Sequence, residues 1–590
     1  MIQRTGNMFK PLDQFFYRKK NWALFLVLLS SVAYPLSIPN EIFKYGNPLL
    51  GFIAFIPVFM ALSISPTRKY SAFLGAIFGL ISSLLAYYWL KNFGNYSFYT
   101  LGGVTFAYVL FKAWLFTVLH AFTRFSPRYR PFLLAIGWGF YEYLKSVGFL
   151  GFPWALMPHS IHQILPLVQL ADITGIWGLS FLMALANAIG AEIMLQLPYL
   201  KNQTRRLFLS RQVLVMVAYF FLAMLYGFIR LGIDIPVIKT ADMVLVQQNR
   251  DPWRPDALNE SLLDAMDLSE TGINAKPQKP DLVAWNETAF NWFIEGFRNQ
   301  PEERPFFGFL KEMDTFFLVG APAYKKNTRD VMNSTLLMNP QGEVLDLYGK
   351  IHPVPLAESN PLWDIPAVKK FFQEVVGVYG VWTTGDEYTV FEIPLRQGGV
   401  LKFSTPICFE DSFHDLLRQY IIRGADLWIN MTNVSWSQTD SAEIQMFVSA
   451  KFKAIENRRT LVRSTNAGVT AIIDPWGKTL ASLPLFEKGY LRYNVPVYKE
   501  NHYTAYTLLG DYFPFLMGLF VLVYITIFGI KGYSKPLQLA KQELSDQIFY
   551  SGETLENFLP EKGYYIEPVN EETENNIQPL SSKTENTDTQ

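Results

Sequence analysis

The 590-residue sequence predicts two kinds of fold in one chain: a membrane α-helical bundle of eight spans, and an α/β domain outside the membrane. The composition is strongly apolar, with 50% AVILMFWYC residues and only 17% charged residues, which is atypical of a soluble enzyme. Most of the apolar residues fall in long runs within residues 1–235. Residues 236–505 have ordinary polar content and alternate between strand-like and helix-like segments.

Seven apolar runs lie within residues 1–235, and an eighth lies within residues 510–532. Each is close to the ~20 residues that a helix needs to cross the hydrocarbon core of a bilayer. The runs cover residues 21–38, 49–64, 71–90, 101–123, 131–148, 175–197, 211–232 and 513–530. Buried helices of a soluble protein are the alternative, but seven such runs in succession fit a membrane domain better.

The loops between these runs alternate in their content of Lys and Arg. The segment before the first run contains Arg4, Lys10, Arg18, Lys19 and Lys20, whereas the loop around residues 149–170 contains neither residue type. Because cytoplasmic loops are enriched in Lys and Arg, this pattern predicts cytoplasmic termini and an extracytoplasmic domain at residues 236–505. Residues 533–590 are rich in Glu, Asn, Ser and Thr, which predicts a disordered cytoplasmic tail.

Residues 236–505 contain nine predicted strands interleaved with helices, a pattern that is typical of a layered α/β domain. The strands are predicted at Met243–Gln248, Asp281–Trp285, Thr315–Ala321, Ser334–Asn339, Tyr388–Ile393, Val400–Cys408, Ala425–Met431, Thr460–Ser464 and Val469–Ile473. The helices are predicted at residues 257–267, 288–298, 411–423 and 440–457.

Several function classes find no support in the composition. Lys and Arg (51) balance Asp and Glu (51), so bulk charge does not indicate a nucleic-acid partner. The single cysteine, Cys408, excludes an internal disulfide and a multi-cysteine zinc or iron–sulfur site. The sequence has neither a Gly-rich dinucleotide motif after a strand nor a P-loop lysine motif, and we predict that it uses no cofactor and no metal.

Three polar side chains can meet at one end of an α/β domain. Cys408 lies where a strand gives way to a helix, a turn that exposes a side chain beside backbone N–H groups. Glu287 follows the strand Asp281–Trp285, and Lys350 lies in a turn with Glu358 eight residues further on. A carboxylate, an ammonium and a thiol can supply a general base, an oxyanion donor and a nucleophile. Taken singly, each residue also fits a bland role: a core cysteine, a helix-end carboxylate, or a solvated loop lysine.

Three segments carry a family resemblance. WNETAF (residues 285–290), YGKIHPVPLAE (348–358) and PICFEDSF (406–413) resemble, in that order, the Glu–Lys–Cys triad segments of the nitrilase, or carbon–nitrogen hydrolase, superfamily. Seven spans before such a domain and one after it resemble the bacterial apolipoprotein N-acyltransferase family. The loop GFPWALMPHS (residues 151–160) strengthens this resemblance, which covers about residues 20–530.

The resemblance implies a nitrilase-like αββα sandwich on the periplasmic face of a bacterial inner membrane. It implies transfer of an acyl chain from a phospholipid, with phosphatidylethanolamine as the expected donor. The acceptor is the amine of the N-terminal S-diacylglyceryl cysteine of an apolipoprotein. The implied site residues are Glu287 (base), Lys350 (oxyanion donor), Cys408 (nucleophile), Glu358 and the backbone N–H of Phe409 (supporting), and Trp253, Glu410 and Trp436 (substrate contacts). One departure is Phe409, since the family often has Tyr at that position.

Two other functions compete with this one. A membrane-tethered amidase of nitrilase type would share the chemistry up to the thioester and then pass the acyl group to water. A transporter or receptor would use the outer domain only for binding, and would be expected to carry ionisable residues in the centres of its spans.

Overall fold

In a computed structural model, the protein is described over residues 19–530, apart from residues 126–128, 198–210, 252–253, 255–256, 291–292, 295–304, 377–379 and 500–501. The predicted tail at residues 533–590 and the basic segment before Lys19 lie outside the described residues. Helices of eight or more residues are labelled α1–α12, and strands β1–β12, in chain order.

Among the described residues of the N-terminal part, seven helices have eight or more residues. They are α1 (Lys19–Ser37), α2 (Ile56–Ile64), α3 (Arg68–Ala86), α4 (Ser97–Phe122), α5 (Arg130–Leu144), α6 (Ile176–Gln196) and α7 (Arg211–Leu231). Among the described residues, α3, α4, α6 and α7 are long and apolar enough to cross a membrane. Eight spans were predicted, and four of the described helices have the length and composition of a membrane span.

The predicted span at residues 49–64 is broken in the structure. A short helix, Pro48–Gly51, precedes α2, and Pro57 lies in the first turn of α2. Proline is favoured there because it has no N–H to donate. The backbone N–H of Phe55 at the break donates to Asn187 Oδ1 of α6 over 2.9 Å. A polar side chain from a neighbouring helix therefore accepts a hydrogen bond from a backbone N–H at the break.

The α/β part contains two six-stranded sheets. The first has the strand order β12-β1-β2-β3-β4-β5, and the second has the order β11-β10-β9-β8-β7-β6. In each sheet three neighbouring strands run parallel, β1-β2-β3 or β7-β8-β9, and the flanking pairs are antiparallel. The carboxyl ends of these parallel strands carry the loops discussed below.

All nine predicted strands are present, and three more were not predicted. The strands are β1 (Val237–Gln247), β2 (Leu282–Ala284), β3 (Phe316–Tyr324), β4 (Val331–Met338), β5 (Val344–Gly349), β6 (Phe391–Pro394), β7 (Val400–Ser404), β8 (Leu427–Thr432), β9 (Leu461–Thr465), β10 (Ala471–Ile473), β11 (Thr479–Ser482) and β12 (Gly489–Tyr498). The missed strands, β5, β11 and β12, lie at sheet edges, where polar and Gly or Pro residues weaken the sequence signal. Strand β7 ends at Ser404, not at Cys408 as predicted; Pro406, which cannot donate to a ladder, follows it.

The two sheets pack face to face between helical layers. On β1, Met243 and Leu245 belong to the core between the sheets, whereas Val244 and Val246 pack beneath α8 (Ala257–Asn274) and α9 (Pro305–Met313). Helices α10 (His414–Ile422) and α11 (Asp440–Asn457) cover the second sheet. This is the αββα sandwich that the family resemblance implies. The predicted helix at residues 288–298 lies largely outside the described residues.

Buried polar contacts join the sandwich to the helical part. Arg458, which follows α11, donates to Asp172 Oδ2 over 2.7 Å, and Arg230 at the end of α7 pairs with the same carboxylate over 3.1 Å. Glu456 on α11 accepts from the backbone N–H of Ile176 at the first residue of α6 over 2.9 Å. Helix α12 (Tyr512–Ile530) follows the sandwich.

Candidate active site

Cys408 lies on a tight turn between β7 and α10. It begins the 3₁₀ turn Cys408–Ser412 with a left-handed backbone, φ +55°. A left-handed backbone costs a non-glycine residue ~1–3 kcal/mol, and residues strained in this way cluster at functional sites. The side-chain amide of Asn430 on β8 donates to the carbonyl oxygens of Pro406 (3.0 Å) and Cys408 (2.9 Å) and holds the turn in place.

Glu287, Lys350 and Glu358 form a buried charge cluster. Lys350 follows β5 directly, is 1% exposed, and donates from Nζ to Glu287 Oε1 over 3.0 Å. The same ammonium binds Glu358 at 2.8 Å from Oε2 and 2.9 Å from Oε1. Glu358 also accepts from the backbone N–H of Val354 over 2.8 Å, which fixes its carboxylate. Two chain segments that are far apart in sequence are thus joined through one ammonium.

The Glu287 carboxylate is held by neutral donors as well. Asn333 on β4 donates from Nδ2 to Glu287 Oε1 over 2.9 Å, and the backbone N–H of Asn433 donates to Oε2 over 3.1 Å. Gly320 on β3 lets the Glu287 turn approach closely, because a Cβ there would lie 2.6 Å from the Asn286 oxygen. Sequence reasoning missed Asn333, although Asn is disfavoured within strands and is a signal when it occurs in a buried one.

These charges also act on Cys408, whose thiol is within electrostatic range of all three groups. Burial, together with the negative charge of Glu287, raises the pKa of the Cys408 thiol well above its usual value, although Lys350 opposes the shift. Burial lowers the pKa of Lys350, but Glu287 and Glu358 outweigh it, so this pKa lies well above its usual value. Burial also raises the pKa of Glu358. The resting site therefore holds a neutral thiol beside a charged ammonium, and the thiol needs a base in order to react.

Glu410 is fully buried within the Cys408–Ser412 turn. Its carboxylate joins that turn to the Lys350 loop. It accepts from the backbone N–H groups of Ile351 (2.8 Å), His352 (2.8 Å) and Ile407 (2.6 Å), and from the Tyr348 hydroxyl (2.9 Å). In this structure Glu410 therefore positions both loops, and its predicted contact with substrate stays a prediction.

Aromatic rings lie between this site and the helical part. The Phe409 ring lies 5.8 Å from the Trp154 ring, in the loop between α5 and α6. Trp154 contacts Trp89 (5.1 Å between ring centroids), and Trp89 contacts Trp436 (5.8 Å). Trp253, the third predicted substrate contact, lies outside the described residues. Within the described part of the chain, no three His, Cys, Asp or Glu side chains come together as metal ligands do.

Comparisons with known proteins agree with this two-part architecture. Residues 30–189 match the apolipoprotein N-acyltransferase N-terminal domain, and residues 245–498 match the carbon–nitrogen hydrolase domain. Apolipoprotein N-acyltransferase 2 of Treponema denticola is 36% identical, and the match covers 85% of this chain and 96% of the relative. Apolipoprotein N-acyltransferase of Geobacter metallireducens is 31% identical over 83% of this chain and 92% of the relative. A solved nitrilase-superfamily protein of Saccharomyces cerevisiae is 18% identical, with a TM-score of 0.32, over 44% of this chain and 90% of that one.

Proposed function

The chain belongs to the apolipoprotein N-acyltransferase family, and from this premise we propose that it moves a fatty acyl chain from a phospholipid to an apolipoprotein through a Cys408 thioester. The acceptor is the amine of an N-terminal S-diacylglyceryl cysteine, and phosphatidylethanolamine is the expected donor. The observation that carries the proposal is the buried Glu287–Lys350–Glu358 cluster, whose charges act on the Cys408 thiol.

The first half-reaction forms the thioester. Glu287 takes the proton of the Cys408 thiol, and the thiolate attacks the ester carbonyl carbon of the phospholipid. The Lys350 ammonium and the backbone N–H of Phe409 stabilise the oxyanion of the tetrahedral intermediate. The intermediate then expels the lysophospholipid alkoxide, which receives the proton from Glu287. Glu358 keeps Lys350 charged and oriented throughout this step.

In the second half-reaction, the same groups break the thioester and transfer the acyl chain to the lipoprotein amine. The lipoprotein amine attacks the thioester carbon, Glu287 accepts the amine proton, and the tetrahedral intermediate expels the Cys408 thiolate. Glu287 then returns this proton to the Cys408 thiolate, and the triacylated lipoprotein leaves. Both substrates share one acyl site in turn, so the kinetics are of the ping-pong type.

Both proposed substrates are anchored in the membrane by lipid chains, and the arrangement that we propose keeps the active site at the membrane surface. Helices α1–α7 would provide seven spans and α12 the eighth, with both termini in the cytoplasm. The sandwich, residues 236–505, would lie in the periplasm, and the tail at residues 533–590 would be cytoplasmic and disordered. Trp436 and Trp253 would line the lipid entrance.

Amide hydrolysis is the alternative function, because an amidase would form the same kind of thioester intermediate at Cys408. The contact of Phe409 with Trp154 favours acyl transfer, since it places the nucleophile turn against an apolar wall from the helical part. Exclusion of water lengthens the life of a thioester and favours attack by an amine.

The test is acylation of the purified full-length protein with labelled phosphatidylethanolamine and no acceptor. We expect a hydroxylamine-sensitive label on the Cys408 peptide, detected by mass spectrometry. The label should be released when a diacylated lipopeptide is added, but not during incubation in buffer without it. Cys408→Ala and Cys408→Ser should abolish the label. A label of wild-type intensity in Cys408→Ala would refute the nucleophile assignment, and rapid release by water would favour the amidase.

A further inference from the structure

Asn466 is a buried residue at the edge of the sandwich where the loops of the proposed active site meet. It follows β9 directly and is 3% exposed. Its backbone N–H donates to the carbonyl oxygen of Thr432, the last residue of β8, over 3.1 Å. Because β8 and β9 are neighbouring parallel strands, their carboxyl ends lie side by side at this point. Asn466 is therefore next to the loop that follows β8.

The side chain of Asn466 binds the loop that follows β1 in the other sheet. Its Oδ1 accepts from the backbone N–H of Arg250 over 3.1 Å, and its Nδ2 donates to the carbonyl oxygen of the same residue over 2.6 Å. A backbone N–H can only donate and a carbonyl oxygen can only accept, so this pair fixes the orientation of the amide. The backbone N–H of Asn249 also donates to the Asn466 carbonyl oxygen over 2.6 Å. Three hydrogen bonds of one residue thus join the two sheets at this edge.

The same amide holds the loop that follows β8. Asn466 Nδ2 donates to Ser435 Oγ over 2.8 Å and to Asn433 Oδ1 over 3.1 Å. Ser435 Oγ in turn donates to Asn433 Oδ1 over 2.6 Å, which closes a ring of hydrogen bonds among the three side chains. The side chain of Asn433 is therefore held from two directions, and its backbone is held with it.

Asn433 is the residue of this loop that contacts the proposed general base. Its backbone N–H donates to Glu287 Oε2 over 3.1 Å, while Oε1 of the same carboxylate binds Lys350 and Asn333. A carboxylate that is held at both oxygens keeps one orientation, and a general base must be oriented towards the proton that it takes. The path from Asn466 to the base consists of two direct hydrogen bonds, Asn466 to Asn433 and Asn433 to Glu287.

We propose that Asn466 is a positioning residue for Glu287: its amide fixes the loop after β8, so that the Asn433 N–H holds the carboxylate in place to accept the thiol proton. This inference rests on the proposed function, in which Glu287 is the base of both half-reactions. Asn466 should then matter for any reaction of the Cys408 thiolate, because formation of the thiolate already depends on the base. A residue that only shaped the lipid entrance, through Trp436 in the same loop, would matter for the phospholipid alone.

The experiment measures two reactions of Cys408 in the full-length protein: alkylation by iodoacetamide, and acylation by phosphatidylethanolamine in mixed micelles. In the alkylation, Glu287 takes the thiol proton and the thiolate displaces iodide from the reagent. Because Cys408 is the single cysteine of the chain, the alkyl label reports on this thiol alone. Asn466→Ala should slow both reactions about tenfold, within the range that coupled neighbouring residues show.

Asn457→Ala is the matched control, since it also removes a buried asparagine of the sandwich. Asn457 is the last residue of α11, is 1% exposed, and accepts from the Thr507 hydroxyl over 2.9 Å. Its loss removes a comparable number of hydrogen bonds away from Glu287. Both rates should therefore stay within about twofold of wild type in this variant.

Glu287→Gln tests whether Asn466 acts through the base. The double variant should react no more slowly than Glu287→Gln alone, because Asn466 then has no base to position. Multiplied losses in the double variant, a wild-type alkylation rate in Asn466→Ala, or slowing with phosphatidylethanolamine alone would each overturn the inference. If Asn466→Ala does not accumulate in the membrane, Ser435→Ala takes its place, and a wild-type alkylation rate there overturns the inference. Failure of the proposed function looks different: wild type would then form no thioester from phosphatidylethanolamine, whereas the alkylation rates would still differ between the variants.

Discussion

The Glu410 carboxylate offers the sharpest test of how the site is held together. It accepts from three buried backbone N–H groups, on Ile351, His352 and Ile407, and from the Tyr348 hydroxyl. Hydrogen bonds to a charged group contribute about 1.5–3 kcal/mol each to stability. Glu410→Ala would leave all of these donors without their acceptor, a loss comparable with the whole stability of a domain, so we expect it not to accumulate.

Glu410→Gln is the informative change because it preserves shape. One acceptor oxygen becomes an NH₂ group, and if that group takes the place of Oε2, it faces the Ile407 N–H that now lies 2.6 Å from this oxygen. The expected cost is about 2–3 kcal/mol of unfolding free energy. Because Ile407 adjoins Cys408, the nucleophile turn should shift, and a displacement of ~1 Å can slow a reaction by about 10²-fold.

The assay is the rate of thioester formation from phosphatidylethanolamine, with the thermal unfolding midpoint measured on the same preparation. Tyr348→Phe is the matched control, since it removes one donor and leaves the three backbone bonds. It should cost about 1.5 kcal/mol, the lower end of that range, and slow the reaction less than about fivefold. A wild-type rate in Glu410→Gln would contradict the positioning role, and so would equal losses in the two variants.

Three further predictions concern Asn333, Gly320 and Glu443. Asn333→Ala removes an amide that donates to Glu287 over 2.9 Å. It should slow thioester formation about tenfold and lower the free energy of unfolding by about 1.5–3 kcal/mol, and an unchanged rate would count against this contact. Gly320→Ala places a Cβ 2.6 Å from backbone beneath Glu287 and should slow the reaction more than tenfold, whereas Gly308→Ala, with open space around it, should not. Glu443 is fully buried, and neither of its carboxyl oxygens has a hydrogen-bond partner among the described residues; burial raises its pKa to about 8. At a pH below about 8 the folded protein keeps a proton on Glu443 that the unfolded chain has already lost. The free energy of unfolding therefore falls as pH rises towards about 8, by up to ~1.4 kcal/mol per pH unit, and levels off above that pH. The unfolding midpoint of Glu443→Gln, measured from pH 5 to 9, should therefore rise relative to wild type up to pH ~8, and a constant difference would refute the reasoning.

The sequence by itself determined the family, and it predicted the residues that we propose carry the chemistry. Apolar runs of near-constant length and the three motifs around Glu287, Lys350 and Cys408 predicted the membrane helices and the nitrilase-like domain, and the family resemblance is confirmed. These features are local: hydropathy, strand period and motif order can be read along the chain without knowing which segments meet.

Only the tertiary structure decided which partner each buried polar group takes. The family resemblance implied a substrate contact for Glu410, which stays a prediction. The structure shows that its carboxylate accepts from donors in a loop some sixty residues earlier, at Ile351 and His352. Glu142 and Lys145 lie one turn apart, and each binds the loop of residues 151–160, Glu142 at the Met157 N–H and Lys145 at the Trp154 carbonyl oxygen. Buried polar groups must find partners wherever the fold brings donors and acceptors within about 3 Å, and residues distant in sequence supply most of them.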